Sequence, residues 1–353
     1  MFNFTFCTRI SVRHLTGMVI GTLVLSTCVG LTSGQESPAA PAPGRGGRGP
    51  AATYWAAKTK GGVYVPPNKP LVKLADLKAK HTGQTNWTEM VVKDPENQAD
   101  YNSAAPGTKF QKRMHPDTGA LVVIVDGEIH FNIEAQPLIV ATRGSIVNIL
   151  KTTPYSFEVK GDKPALWVEI KPVNFQTVYP ADAPPPPAPA GAEMVKVSFG
   201  RNSFTYSAPN IPHWNLFEAA KLGPPSGYRA LQDHLFANPI WGYADPNDPA
   251  NPNRGNLAAG RGRGGRGGAA GGPFNPNSVF GHMHPGPAEW WIVQSGQVTG
   301  RFENTGEFVA SEGDILYATP MTWHQMGFAG PGLSCRLALG AYDFINMGNT
   351  AGQ

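Results

Sequence analysis

Residues 281–296 read "GHMHPGPAEWWIVQSG". In an extended strand, residues i and i+2 point the same way, so His282 and His284 share a face while Met283 takes the other. Pro285, Gly286 and Pro287 break the strand, and Glu289 opens the next apolar run with its side chain free to turn back. A fourth candidate donor follows at His324, in "GDILYATPMTWHQM" (313–326). A lone His-x-His pair is commonly a packing feature. Three imidazoles with a carboxylate suit a divalent transition metal with open coordination positions: Mn, Fe, Zn, Ni or Cu.

The surroundings are strand-like. "ALVVIVDGEIHFNI" (120–133), "SIVNIL" (145–150), "ALWVEI" (165–170), "WWIVQSGQVTGRF" (290–302) and "RLALGAY" (336–342) are rich in β-branched and aromatic residues. Helical signal is confined to "WNLFEAAKL" (214–222) and "YRALQDHLF" (228–236), between the two β-rich regions. The expected class is therefore all-β with a short helical segment between the two regions. The β-rich regions also repeat. Gly127 and Gly296 lie 169 positions apart, as do Gly144 and Gly313, and at the same offset His115 falls on His284 and Trp167 on Arg336. Two copies of one β-domain account for this.

The opening run resembles the first motif of the cupin superfamily. His282, His284, Glu289 and Gly296 fill its spacing, and Gly313 with His324, eleven positions on, keeps the spacing of the second motif. Three departures accompany it. Pro320 is displaced by one position, the family's small Gly before the histidine is missing, and Phe328 stands where many members have Asn. The resemblance implies two double-stranded β-helix (jelly-roll) barrels, a bicupin over roughly residues 61–345, with His282, His284, Glu289 and His324 as metal ligands. Around them, alternation places Phe280, Trp291, Met326 and Phe328 as candidate walls of a small-molecule pocket, with ordinary barrel core as the other reading. Trp290 and Trp323 would face the other barrel or the surface.

At the same offset the first copy has Arg113, His115, Ala120 and Tyr155 in place of the four ligands. One imidazole cannot hold a metal, and Arg113 repels a cation. The first barrel is expected to be structural, with an anionic ligand on Arg113 as the alternative.

Composition frames the organisation. The 353 residues include 42 Gly and 34 Pro, concentrated in "APAPGRGGRGPAA" (40–52), "APPPPAPAGA" (183–192) and "AAGRGRGGRGGAAGGP" (258–273). Such runs bury too little apolar surface to fold. Eight arginines lie in or beside the Gly-rich runs or near the N-terminus, and 29 basic residues less 8 leaves 21 against 25 acidic ones, a mildly acidic body. The Arg-Gly runs lack interleaved aromatics, so no nucleic-acid partner is expected.

The first 34 residues carry Arg9 and Arg13 before "LTGMVIGTLVLSTCVGL", an apolar core of signal-peptide length that is short for a membrane span. A secreted or periplasmic protein follows, with Cys28 as an alternative lipid-anchor site. Of the three cysteines only Cys335 would remain in the mature chain, so it can form no internal disulfide. The expected order is leader 1–34, linker 35–60, metal-free barrel 61–180, Pro-rich linker 181–192, and a second domain 193–353 with its core at 274–345 and an Arg/Gly-rich insertion at 250–273.

Two functional readings follow. One is a secreted metal-dependent oxidoreductase of dioxygenase or decarboxylase type, acting on a small organic acid or phenolic compound and open to homo-oligomer formation. The other is a non-catalytic, metal-dependent small-ligand-binding protein of the cell envelope. A third class, an Arg-Gly-mediated interaction protein, would use residues 258–272 instead of the metal. No general acid stands out. His213, Asp233 and His234 in the inter-barrel segment read as solvated or helix-capping.

Overall fold

The computed structural model describes residues 55–201, 204–207, 210–221, 230–232, 235–245, 281–340 and 347–348. Residues 1–34, read as a leader, with Cys28, the Arg/Gly-rich stretch 250–273, Asp233, His234 and Phe280 lie outside the described residues. A strand and a helix lead, β1 (Leu71–Val72) and α1 (Leu74–Lys80). The first barrel follows as β2 (Trp87–Lys93), β3 (Asn97–Ala104), β4 (Lys109–Arg113), β5 (Ala120–Asp126), β6 (Glu128–Ile133), β7 (Ile139–Thr142), β8 (Ser145–Ile149), β9 (Tyr155–Lys160) and β10 (Ala165–Pro172). A second strand and helix, β11 (His213–Asn215) and α2 (Leu216–Lys221), precede β12 (Ala230–Gln232) and β13 (Leu235–Tyr243). The chain then forms β14 (His282–Met283), β15 (Glu289–Ser295), β16 (Gln297–Phe302), β17 (Gly306–Ser311), β18 (Ile315–Ala318), β19 (His324–Ala329), β20 (Leu333–Gly340) and β21 (Met347–Gly348).

The internal repeat is present in the backbone. β5, β6 and β9 map onto β15, β16 and β19 at the 169-residue offset with no shift at either end. The four repeat glycines, Gly127, Gly144, Gly296 and Gly313, all have positive φ, which costs an ordinary residue but not glycine. A Cβ on Gly313 would also meet Leu74 of α1 at 2.4 Å, and one on Gly144 would meet Phe217 of α2 at 2.5 Å.

Each barrel is a six-stranded sheet closed by a smaller one. The larger sheets run β11-β8-β5-β10-β3-β2 and β1-β18-β15-β20-β13-β12, and the smaller ones β4-β9-β6-β7 and β17-β16-β19-β14-β21. Strands are exchanged reciprocally. β1, ahead of the first barrel, pairs with β18 of the second (Leu71↔Leu316), while β11 pairs with β8 of the first (His213↔Val147). Arg143 and Glu312, equivalent positions of the two copies, form an ion pair with each other. Equivalent residues meet in this way where an approximate two-fold axis relates the copies.

The two large sheets pack face to face, which explains their unbroken apolar runs. On β5, Leu121 and Val123 enter the core between the barrels while Ala120, Val122 and Ile124 fill the first barrel. On β15, Trp290 and Ile292 enter the shared core while Trp291 and Val293 fill the second barrel. Cys335 is fully buried in the shared core, and burial pushes its thiol up to about 12, so it acts as a small apolar side chain. Among the described residues no helix is long and apolar enough to cross a membrane.

The expected helix over 228–236 is corrected. Residues 230–232 and 235–243 are strands, and β13 pairs with β20 from Phe236↔Gly340 to Tyr243↔Leu333. Ladder bonds along a sheet edge outweigh a local helical preference. The segment 214–222 supplies β11 followed by the six-residue α2.

Candidate metal centre

The four sequence-predicted donors converge. His282 sits opposite His324 in the β14–β19 pairing, and His324 is also opposite Phe302 of β16. Glu289 begins β15 opposite Ala318 and Gly340. A Cβ on Gly281 would lie 2.6 Å from the His324 carbonyl oxygen, so only glycine lets β14 approach β19 this closely. The Glu289 Oε2 lies 2.8 Å from His284 Nε2, 2.9 Å from His324 Nε2 and 3.4 Å from His282 Nε2. His282 and His324 bring their Nε2 atoms to 3.1 Å. One ligand atom from each of the four lies within 4.8 Å of all the others, so the cluster could hold a metal ion.

The donor chemistry fits such an ion. His324 Nδ1 lies 2.9 Å from the Thr322 carbonyl oxygen, which can only accept. Nδ1 therefore carries the proton, and the neutral ring offers the Nε2 lone pair to the centre. Ligands about 2.1 Å from a common ion stand roughly 3.0–3.4 Å apart in octahedral or tetrahedral arrangements. The observed contacts fall close to that range. Burial alone would raise the Glu289 carboxyl, but the three imidazoles gathered around it hold it well below the usual carboxylate range. Burial lowers His324, keeping it neutral as a ligand must be. The side chains of His284, Glu289 and His324 are 2%, 8% and 1% exposed, whereas His282 is 31% exposed. The centre opens on the His282 side.

The loop before His324 carries one of the departures from the motif. Met321 adopts φ 60°, a left-handed conformation disfavoured by its Cβ. It stands three residues before the histidine, where the family's small glycine is missing. Its N–H donates to the His284 carbonyl at 2.8 Å, tying the loop to a ligand. Thr319 Oγ1 donates to the Gly62 carbonyl at 3.0 Å and lies 2.7 Å from Thr322 Oγ1. Gly62 N–H donates to the Pro320 carbonyl at 3.2 Å. The chain ahead of the first barrel thus braces the residue whose carbonyl orients His324.

Of the candidate pocket residues, Trp291 lies edge-on to His324 with centroids 5.2 Å apart. Met326 and Phe328 are half-buried against the second barrel's core. Phe328 lies two same-face positions beyond His324, under the Arg336 guanidinium at 5.0 Å. Phe302, 5.9 Å from Trp291 and 6.4 Å from His324, is a wall the sequence reading missed. Its signal was period-two placement with Val298 and Gly300. Arg336 was also missed as a buried charge. It is 3% exposed, donates to the Gly327 carbonyl at 3.3 Å, and is lowered to about 10 by burial. His213 lies on β11, its Nε2 2.9 Å from Ser145 Oγ, in the first barrel's sheet.

The first barrel's equivalent positions form a closed network. His115 Nδ1 lies 3.0 Å from the Gln176 carbonyl oxygen, so Nδ1 is the donor and the Tyr155 hydroxyl donates to Nε2 at 2.9 Å. Arg113 Nε donates to the same hydroxyl at 3.0 Å, and Arg113 Nη2 pairs with Glu169 at 3.3 Å. Lys171 pairs with the same Glu169 oxygen at 3.2 Å. Burial opposes ionisation of Glu169, yet Lys171 and Arg113 hold it at about 2. Burial lowers His115 to about 4. Arg113 spends its charge on Glu169, which favours the structural reading of this barrel over the anion-binding one. Glu169, on β10 two residues before Lys171, was missed by the sequence reading.

Comparisons with known proteins agree with this architecture. Residues 274–340 match the cupin domain family (Cupin_2: Cupin domain). A comparison with curated proteins finds no match. A variant of salicylate 1,2-dioxygenase from Pseudoaminobacter salicylatoxidans in complex with gentisate is similar at a TM-score of 0.51 and 10% identity, over 80% of this chain and 85% of that one. A second variant with gentisate gives 0.50 at 10% identity, over 80% and 86%. An oxalate decarboxylase variant from B. subtilis gives 0.45 at 12% identity, over 82% and 80%. Residues 274–340 of the C-terminal barrel are thus a cupin domain, and the likeness along most of the chain shows a shared two-barrel fold.

Proposed function

We propose that His282, His284, Glu289 and His324 bind one divalent transition metal, and that the chain is a metal-dependent enzyme of dioxygenase or decarboxylase type acting on a small organic acid or phenolic compound. The observation that carries this reading is the convergence of three imidazole nitrogens on one buried carboxylate oxygen. A bound ion would supply a Lewis-acidic centre with positions open to substrate oxygens. Glu289 offsets part of its charge. Thr322 fixes the tautomer and direction of His324, and Trp291 and Phe302 keep water from its flank. His282 lies at the exposed edge, where a small ligand would enter. Salicylate and gentisate chemistry in the similar dioxygenases supports the phenolic-acid class. The leader reading adds export to the periplasm or beyond, with Cys28 as an alternative lipid-attachment point.

Elemental analysis of the purified protein, followed by oxygen-uptake and carbon-dioxide-release assays against salicylate, gentisate and oxalate, tests the proposal. One equivalent of metal with turnover of a panel member is expected. Absence of stoichiometric metal after reconstitution would overturn it. Trp291 and Phe302 pack edge-on against His324 and close that flank of the centre, and this favours a second reading, a non-catalytic small-ligand-binding protein. Tight metal with a ligand-induced stability shift and no turnover would select that one.

A further inference from the structure

The chain ahead of β1 lies along the loop that leads into His324, and between residues 55 and 63 none of it is buried. What holds residues 58–62 there is polar. Gly62 gives its N–H to the Pro320 carbonyl, and its own carbonyl accepts from the Thr319 hydroxyl. Gly61 runs so close that a Cβ on it would stand 2.5 Å from Thr322 Oγ1. Lys58 Nζ donates to both carboxylate oxygens of Glu303, at 2.8 and 3.0 Å. Segments tied by a few polar contacts and no core open far below the free energy of global unfolding. This stretch can therefore lift away while both barrels stay folded.

Glu303 connects the stretch to the centre. It follows Phe302, which stands opposite His324 in the β16–β19 pairing. Its own N–H donates to the Trp323 carbonyl at 2.8 Å, and its Oε2 accepts the Trp323 N–H at 3.1 Å. That N–H belongs to the same peptide unit as the Thr322 carbonyl, which accepts from His324 Nδ1 at 2.9 Å. A trans peptide is planar, so a bond that aims its N–H also aims its carbonyl. Lys58 thus holds Glu303, Glu303 holds the 322–323 peptide, and that peptide sets the direction of the His324 ring. Loss of such outer contacts lowers metal affinity by about ten- to a hundredfold.

Building on metal binding by His282, His284, Glu289 and His324, we propose that residues 58–62 are a releasable strap that sets the affinity of the centre, with Lys58 and Glu303 as positioning residues for His324. Docking of the strap and binding of the ion are two equilibria that share one element, the 319–323 loop. Coupling of this kind is reciprocal. If the docked strap raises metal affinity, metal binding strengthens strap docking by the same factor. Release of the strap loosens His324 and lets the ion go without unfolding either barrel.

Calorimetric titration of the chelator-treated full chain with Zn2+ and with Mn2+, together with hydrogen exchange, tests this. Lys58→Met and Gly61→Ala should each bind about tenfold more weakly than the wild type. Lys58→Arg, which keeps the ion pair, should bind as the wild type does. In a Glu303→Ala background, Lys58→Met should cause no further loss. Exchange of the Gly62 and Trp323 amides should slow when metal is added to the wild type. A strap that serves the fold alone would change the melting temperature and leave both metal affinity and metal-dependent exchange unmoved, which would overturn the proposal. Wild-type affinity in Lys58→Met or Gly61→Ala, an arginine variant as weak as the methionine one, or additive losses in the double variant would overturn it too. A wild type that takes up no metal would instead overturn the four-ligand reading, and the role of the strap with it.

Discussion

His282 offers a clean separation of metal binding from folding. It is the one ligand whose side chain is substantially exposed, at 31%, and its Nε2 meets Glu289 and His324, both members of the cluster. His282→Ala therefore removes a donor without emptying a packed cavity, and the metal-free stability should change by less than about 1 kcal/mol. Metal at a hundredfold excess over its dissociation constant stabilises the wild type by about 2.7 kcal/mol. The reciprocal strand exchange couples the barrels, and Trp55–Gln353 groups as one unit. For about 300 residues the unfolding entropy is near 0.6 kcal/mol per degree, so the expected rise in Tm is about 4 °C. If loss of one donor weakens binding about a hundredfold, the same metal concentration leaves roughly 0.4 kcal/mol, a rise under about 1 °C. Thermal unfolding followed by circular dichroism, with chelator and then with added metal, reads both numbers. A variant that keeps the full metal-induced shift would remove His282 from the coordination sphere and refute the reasoning.

Two further outcomes follow from groups away from the open coordination side. His115 is held at about 4 in the folded chain, against about 6.5 when unfolded. Between those values the unfolded chain takes up the proton and the native state does not. Its contribution is therefore complete above about pH 6.5 and is lost as pH falls towards 4, by up to about 3 kcal/mol. Urea unfolding of metal-free protein across this window should show a shallower acid dependence for His115→Asn than for the wild type, and parallel curves would contradict the assignment. At Met321, φ 60° should make Met321→Gly neutral or stabilising by up to about 1 kcal/mol, while the β-branched Met321→Val costs about 1–2 kcal/mol. Metal affinity should follow the same order, because this loop carries the carbonyl that orients His324. Calorimetric titration of the two variants checks it, and a valine variant with wild-type affinity would sever the loop from the centre.

The second barrel's site was legible because its chemistry is local. His282, His284 and Glu289 lie within eight residues, and strand alternation alone puts the two histidines on one face. The fold was legible through glycines whose spacing repeats at positive φ. What stayed hidden depends on strands that are distant in sequence. The 228–236 segment has a helical pattern, and only its ladder with β20 makes it a strand. The exchange of β1 and β11 leaves no mark in composition. The first barrel is the instructive case. Its sequence shows three ligands replaced, but not what the replacements do, because Glu169 lies outside both motifs at the position equivalent to Ala338. In space Glu169 and Arg113 meet, with Tyr155 and His115 bonded around them. A buried carboxylate still faces a fixed cation inside the barrel, as Glu289 would face an ion in the other. The first barrel thus keeps an internal charge pair while its cation has become part of the chain, so local hydrogen exchange within it, below the shared unfolding transition, should not respond to chelators, whereas exchange around His282, His284 and His324 should.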